Sequence, residues 1–461
     1  MPLLANLKKT VNYLKKNGLE ETSYAVLERL CTRKQRRYQY EPPEEEELKR
    51  QRDSKWEYYP KLSLIVPAYE TKPIYMQDLI LSVTEQSYQN YELIIADASE
   101  TDVVSKVVKD FQTQYDGIVY YRLESNEGIS DNTNAALTQA TGEYIGLLDH
   151  DDLLTPDALY YVAKEIEKCR KKKIEPELIY TDEDKTNAYL EKYYEPHYKT
   201  SFNYDLLLTN NYVCHLSFYR KDVICKLGLR KEYDGAQDYD LVLRTAALIE
   251  KEYEGTFSAS AVPWEKHIRH IPHILYHWRC HEESTAQNPE SKLYAYEAGR
   301  RAIEAYLADK DLNVEVRHLK HLGFYWLDYS EEDYETIFLK RKDIGVIGGP
   351  IYTNHKISGG AMRQNGTVIY RGLHRRFSGY MHRGVLQQDV DAVDLRNMVI
   401  RKDLINLFTK TTGYLYPVPE EIKKKQLSGE EEEKIRKKSI DFCNKVRGKS
   451  ISILYDPFLL I

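Results

Sequence analysis

The chain has 461 residues, a net charge of −6, 42% hydrophobic and 30% charged residues, which excludes a disordered or fibrous protein and leaves room for two or more domains. No apolar run approaches the roughly 18 residues that span a bilayer, and the basic start Met1–Lys16 lacks a signal-peptide core, so a cytoplasmic protein is expected. The six cysteines show neither CxxC nor zinc spacing and read as reduced thiols.

Leu4, Leu7, Val11 and Leu14 recur at helical spacing, Gly18 is a natural stop, and a second helix is expected over Glu20–Leu30. With Lys8, Lys9, Lys15 and Lys16 flanking it, the first helix suits either an anionic inner leaflet or packing on the rest of the protein; residues 1–40 are therefore a candidate peripheral membrane contact. A basic run, Arg33–Arg37, and an acidic run, Pro42–Glu47, read as linker, closing a helical extension over residues 1–57.

From Leu62 strands and helices alternate. Strands are predicted at Leu62–Val66, Glu92–Ala96, Ile118–Leu123 and Tyr144–Leu148, and helices at Pro73–Gln86, Asp102–Phe111, Ser130–Ala140 and Pro156–Lys168. That order predicts an α/β domain with a mostly parallel sheet and helices on both faces. Short strands at Leu178–Thr181, Leu216–Arg220 and Ile271–His277 and a helix at Leu293–Leu307 complete a domain over residues 58–312. Beyond Asn313 come glycine-punctuated short strands such as Gly345–Gly349, a charged helix at Glu430–Lys437 and a strand at Ile451–Tyr455, which read as a smaller α/β domain over 313–461.

The strand at Tyr144–Leu148 runs straight into Asp149-His-Asp-Asp152. Aspartates at a strand end repel one another unless a cation sits among them, and hard oxygen ligands suit Mg²⁺ or Mn²⁺; Asp152 as a helix cap with solvated neighbours is the alternative. The turn Pro67-Ala-Tyr-Glu70 has no glycine, so neither a dinucleotide fingerprint nor a P-loop is present. A nucleoside diphosphate bound here needs a metal on its phosphates, a task for Asp149 and Asp151. Asp97 ends the second strand, placed to accept a base N–H or to cap with Ser99. Asn126, Gly128, Asp131 and Asn134 follow the third strand and either cap the next helix or touch ligand.

Ile65-Val-Pro-Ala-Tyr69, Ile95-Ala-Asp97, Asn126-x-Gly-Ile-Ser130, Leu148-Asp-His-Asp-Asp152 and Gln237-Asp-Tyr-Asp240 occur in this order, joined by Ile179–Lys185, Asn211–His215 and Leu275–Arg279. Over about residues 58–310 the chain resembles family 2 inverting glycosyltransferases with the GT-A fold, in the branch that builds bacterial cell-surface polysaccharides, including rhamnose-containing ones. The resemblance implies a donor site of Pro67, Tyr69, Glu70, Asp97, Asn126, Gly128, Asp131 and Asp149, with Tyr69 against the nucleobase. It implies metal ligands Asp149, Asp151 and a late histidine, His277, for which a satisfied core histidine is the competing reading; a general base, Asp238, which can also cap its helix; and an acceptor side with Asp182, Asp184 and Trp278, where a solvated salt-bridged loop is the alternative for the two aspartates. The implied partners are a UDP- or dTDP-sugar and a glycan or lipid-linked acceptor, and no nucleic acid. Glu70 stands where the family has Asn, and Asp97-Ala-Ser99 where many relatives have adjacent aspartates. Residues 343–407 resemble the back half of a second family 2 unit without its metal-binding front, and Asp389-Val-Asp391 is read as non-metal. The competing class is a catalytically silent carbohydrate-binding or scaffolding subunit.

Overall fold

The computed structural model describes residues 2–33, 38–253, 262–281, 293–329, 333–423 and 427–459. It divides into two compact units, Gln39–Glu332 and a second made of Met1–Tyr38 with Asp333–Ile461.

The larger unit is built on a nine-stranded sheet. Its strands are β1 (Leu62–Ala68), β2 (Tyr91–Asp97), β3 (Ile118–Arg122), β4 (Tyr144–Leu147), β5 (Leu153–Leu154), β6 (Leu178–Asn187), β7 (Tyr193–His197), β8 (Ser217–Arg220) and β9 (Ile268–Cys280). They lie in the order β3-β2-β1-β4-β8-β6-β9-β5, with β7 beside β6. β1 to β4, β6 and β9 point one way, and β5, β7 and β8 the other. This is the mostly parallel α/β sheet that the alternation of strands and helices predicts. Leu62, Leu64 and Val66 of β1 pack on Met76, Leu79, Ile80 and Val83 of helix Pro73–Thr84 and share a core with Val104 and Val108 of helix Val103–Gln112 and Leu159, Val162 and Ile166 of helix Ala158–Lys171. Helix Ile129–Leu137 also lies against β1. With both faces covered, β1, β2 and β4 have to be near-continuous apolar runs.

Three features depart from the sequence expectations. β6 continues to Asn187 instead of stopping at Thr181, because β9 pairs with it in parallel from Leu178↔Ile268 to Asn187↔Cys280; that ladder makes a strand of the acidic Asp182-Glu-Asp184, whose composition argues against one. Residues Glu45–Arg52, inside the expected linker, form a helix with glutamates in its first turn and Arg50 and Arg52 in its last, as the helix dipole favours. Gln51 on its buried face accepts a hydrogen bond from the Ser87 hydroxyl at 2.6 Å. Finally, the strand pair Glu315–His318 and Tyr325–Asp328 packs with this unit, the Tyr325 hydroxyl donating to the Tyr296 carbonyl at 2.8 Å and its N–H to that of Thr209 at 2.8 Å.

In the smaller unit a four-stranded sheet is ordered Gln388–Asp389, Ser452–Tyr455, Ile344–Gly348, Met398–Ile400 and covered by helices Ile405–Thr412 and Gly429–Arg447 through Phe408, Phe442 and Val446. The helical segment Pro2–Arg33 breaks at Gly18 (φ 79°), and its second part is tied to residues 374–379: Tyr24 stacks on His374 and Glu28 accepts the Gly379 N–H at 2.7 Å. The side chains of Leu4, Leu7, Lys8, Lys9 and Lys16, on which the membrane expectation rests, lie outside the described residues. No described helix is long and apolar enough to cross a membrane.

At the sheet edge opposite the β-strand carboxyl ends, Glu92 accepts hydrogen bonds from Ser63 Oγ (2.5 Å), Lys61 Nζ (2.7 Å), Thr141 N (2.6 Å) and Thr141 Oγ1 (2.8 Å), tying β1, β2 and the entry to β4. Burial opposes ionisation there, but these donors hold its carboxyl down at about 2, against an ordinary 4.5. Glu92→Gln is expected to lower the unfolding free energy at pH 7 by about 1–3 kcal/mol. A carboxyl depressed in the folded state stabilises fully above its unfolded value and ceases to do so as pH falls through the folded one. In denaturant titrations the gap between wild type and variant should therefore close from about pH 4.5 down toward 2; a gap constant across that window contradicts the assignment.

Candidate active site

β1, β2 and β4 end side by side, with Ala68 opposite Asp97 and Leu147 opposite Ile65, so the loops after them share one edge of the sheet. That is where open α/β sheets bind ligand. After β4 the chain turns through Asp149–Asp152 before β5 pairs with β9. Asp152 is fully buried: its carboxylate accepts the Tyr276 hydroxyl and, at 2.7 Å, the Arg279 N–H, so it anchors the loop to β9. Burial, with Asp151 and Asp149 adding to it, pushes its carboxyl well above the usual range.

Anchoring Asp152 fixes its neighbours. Asp151 bonds His281 Nε2 at 2.7 Å, and this contact outweighs burial to hold its carboxyl below the ordinary value. Asp149 lies 3.6 Å from His215 Nε2; burial and the Asp151 and Asp238 carboxylates raise its carboxyl against the pull of His215. His215 is stacked on Tyr276 at 4.8 Å with Trp278 edge-on at 5.9 Å. Asp149, Asp152 and His215 bring ligand atoms within 4.8 Å of one another, but both Asp152 oxygens already accept protein donors. The oxygen and imidazole donors better placed to take a divalent cation are therefore those of Asp151, His281 and Asp149, a set that suits Mg²⁺ or Mn²⁺.

Asp238 stands in the first turn of helix Gln237–Lys251, and its Oδ2 accepts the Asn211 side-chain N–H at 2.7 Å. Two residues on, Asp240 is buried and held by Arg230 Nε at 3.1 Å and Arg244 Nε at 2.8 Å. The pair thus separates into a structural carboxylate and one turned toward Asp149.

On the nucleotide side, Tyr69 is 43% exposed beyond the end of β1, while Pro67 stays inside the strand opposite Ala96. Asp97 is buried, accepting the Ser99 N–H at 2.9 Å and the Tyr120 hydroxyl at 2.8 Å, so it shapes the turn whatever else it contacts. Glu70 (φ 46°) accepts the N–H groups of Glu100 at 2.7 Å and Thr101 at 2.9 Å and stitches the loops after β1 and β2 together. Asn126 accepts the Gly128 N–H at 3.2 Å and the Asn132 amide at 2.9 Å; Asp131 pairs with Lys231 at 3.1 Å. Gly128 is required, since a side chain there meets the Asp234 carboxylate at 2.5 Å in a positive-φ conformation.

Two expectations need correcting. His277 does not reach the aspartates: it lies inside β9, opposite Leu153, and the pleat turns it to the other face, where it bonds Asp184 at 2.5 Å between the rings of Tyr40 and Tyr193. The histidine at Asp151 is His281, just past the strand's end. Asp182 and Asp184 are buried rather than open to an acceptor, Asp182 accepting from His270 Nε2 at 2.8 Å. Trp278 does stand beside His215, with Lys185 over its ring at 5.5 Å. Asn211 and His215 lie in a segment that the sequence resemblance singles out without giving either a role, and the role of His281 is revealed only by its contact with Asp151.

Residues 63–228 match the family model described as Glycosyl transferase family 2. Over those residues the chain is similar to glycosyl transferase family 2. It is 38% identical over 251 residues to the uncharacterized protein y4gI of Sinorhizobium fredii, covering 54% of this chain and 26% of that one. It is 29% identical over 261 residues to the O-antigen biosynthesis protein RfbC of Myxococcus xanthus, covering 56% and 19%. The chain thus spans about a quarter or less of the length of these relatives. Among solved structures, S. aureus TarS 1-349 in complex with UDP-GlcNAc aligns at TM-score 0.40 and 18% identity, over 55% of this chain and 68% of that one.

Replacing Asp240 by Ala leaves Arg230 and Arg244 without their shared carboxylate and is expected to cost about 3 kcal/mol of stability, whereas Asp238→Ala should stay within about 1 kcal/mol. Chemical denaturation of the two variants checks this; equal losses contradict the division of roles.

Proposed function

We propose that the larger unit transfers a sugar, with inversion, from a nucleoside-diphosphate sugar to a hydroxyl of a growing bacterial surface glycan or its lipid-linked precursor. The observation that carries this reading is the meeting of Asp149, Asp151 with His281, and Asp238 with Asn211 at one edge of the sheet in a family 2 domain. The donor is a UDP- or dTDP-sugar, with Tyr69 against the base, Asp97 and Glu70 shaping the floor, and the loop Asn126–Asp131 alongside. The similarity to RfbC, an O-antigen biosynthesis protein, supports a surface polysaccharide as the product class.

The chemistry follows from where charge develops. As the bond between the anomeric carbon and the diphosphate breaks, the carbon takes on oxocarbenium character and the acceptor oxygen attacks the opposite face. The acceptor proton passes to Asp238, whose Oδ2 is engaged by Asn211, leaving Oδ1 to receive it. Asn211 sets the orientation of that carboxylate. Asp151, His281 and Asp149 would hold a divalent cation, which would supply Lewis-acid neutralisation of the leaving diphosphate. Trp278 and Lys185 offer an aromatic face and a cation on the acceptor side. The smaller unit serves as a non-catalytic support: Asp391 is committed to Arg447 and to the Gln364 N–H at 3.2 Å.

Asp238→Asn is expected to keep nucleotide affinity within about threefold while turnover falls about a hundredfold or more. Calorimetry with the nucleoside diphosphate and a transfer assay over a panel of UDP-, dTDP- and GDP-sugars measure the two, and near-normal turnover contradicts the base assignment. His281→Ala should raise the Mn²⁺ concentration for half-maximal turnover by about tenfold or more, and His277→Ala should not. The reverse ranking moves the ligand back to His277.

A further inference from the structure

Asn211 and His215, which hold Asp238 and face Asp149, belong to one short loop whose conformation needs support, because Cys214 between them has φ 32°, a region that a side chain disfavours. The support is a buried cation. The Lys199 side chain is 0% exposed, and its ammonium donates to the Val213 carbonyl at 2.7 Å, to the His215 carbonyl, and to Glu183 Oε2 at 3.2 Å. The two carbonyls bracket Cys214, and the Cys214 N–H donates to Asn211 Oδ1 at 3.2 Å. All three ammonium protons are used inside the protein. Lys199 is itself fixed: its N–H donates to Asp182 Oδ1 at 2.8 Å, and Glu183 also meets His197 Nδ1 at 3.2 Å. Burial opposes ionisation of Glu183, yet Lys199 and His197 hold its carboxyl down at about 2.

We infer that Lys199, seated on Glu183, is a positioning residue for glycosyl transfer: it clamps the Asn211–His215 loop and thereby aims Asp238 and sets His215 against Asp149. Lys199 touches no substrate in this arrangement; it acts through two carbonyl oxygens. This also gives a purpose to the acidic Asp182-Glu-Asp184 stretch other than contact with an acceptor. The inference rests on the glycosyl-transfer reading for its kinetic consequence but not for its structural one.

The test therefore has two arms. Lys199→Met is made together with Glu183→Gln, so that no uncompensated buried charge remains, in the full-length chain with the exposed Cys31 and Cys225 changed to Ser. The first arm measures alkylation of Cys214 by iodoacetamide, site by site, by mass spectrometry. Cys214 should react at least tenfold faster than in the parent, while the buried Cys169, Cys280 and Cys443 stay protected. The second arm measures transfer: kcat should fall at least tenfold with donor KM within about twofold. An unchanged Cys214 alkylation rate overturns the clamp whether or not transfer is seen. A faster rate with unchanged kcat overturns the positioning role. Absence of transfer by the parent with every donor overturns the glycosyl-transfer reading and leaves the first arm to judge the clamp. Should Cys169 and Cys443 also become reactive, Lys199→Gln in the Glu183→Gln background, which keeps amide donors near the carbonyls, replaces it under the same criteria.

Discussion

Negative charge concentrated at the end of β4 is the constraint around which the larger unit is organised. Asp149, Asp151, Asp152 and Asp238 gather at one sheet edge, and each is answered differently: Asp152 by the Tyr276 hydroxyl and a backbone N–H, Asp151 by His281, Asp149 by His215 and Asp238 by an uncharged amide. Like carboxylates so close raise one another's affinity for protons unless a cation or a donor intervenes. Burial and the neighbouring carboxylates push the Asp152 carboxyl up, whereas the contact with His281 holds that of Asp151 down. Under the proposed function, surplus negative charge with imidazole nitrogens beside it would suit a cation and the phosphates that come with it.

The same principle recurs one layer deeper. Three successive acids on β6 each meet a histidine: Asp182 with His270, Glu183 with His197, Asp184 with His277. Burying such a run is costly unless every carboxylate is paired, and the long parallel ladder of β6 with β9 brings two of the three partners. The chemistry at the surface thus stands on a buried, internally neutralised base, to which Lys199 adds the connection upward to the Asn211–His215 loop.

Local pattern made much of this legible. The alternation of apolar strands and helices from Leu62 to Lys171 gave the α/β order, because two-sided burial writes itself into β1, β2 and β4 as unbroken apolar runs. Asp149 and Asp151 stood out because acids directly after such a strand have no packing purpose. His281 was invisible for a tertiary reason: which histidine faces the site depends on the pleat of β9, whose register against β6 shifts at Asp182 and Glu183, and a register shift leaves no mark in spacing. Glu70, a departure from the family's Asn, became intelligible only when its carboxylate was found bonded to Glu100 and Thr101. The acceptor-side reading of Asp182 and Asp184 comes from the resemblance alone, and nothing in the local pattern shows that the ladder of β6 with β9 buries them.

The most direct test of the organisation around β4 is anomalous scattering from crystals of the full chain soaked with Mn²⁺ and a nucleoside diphosphate. A peak is expected at about 2.1–2.2 Å from Asp151 and from His281 Nε2, with diphosphate density beside Asp149. A peak at Asp184 and His277, or none at the end of β4 while the nucleotide is bound, contradicts the assignment of this cluster as the metal and phosphate site.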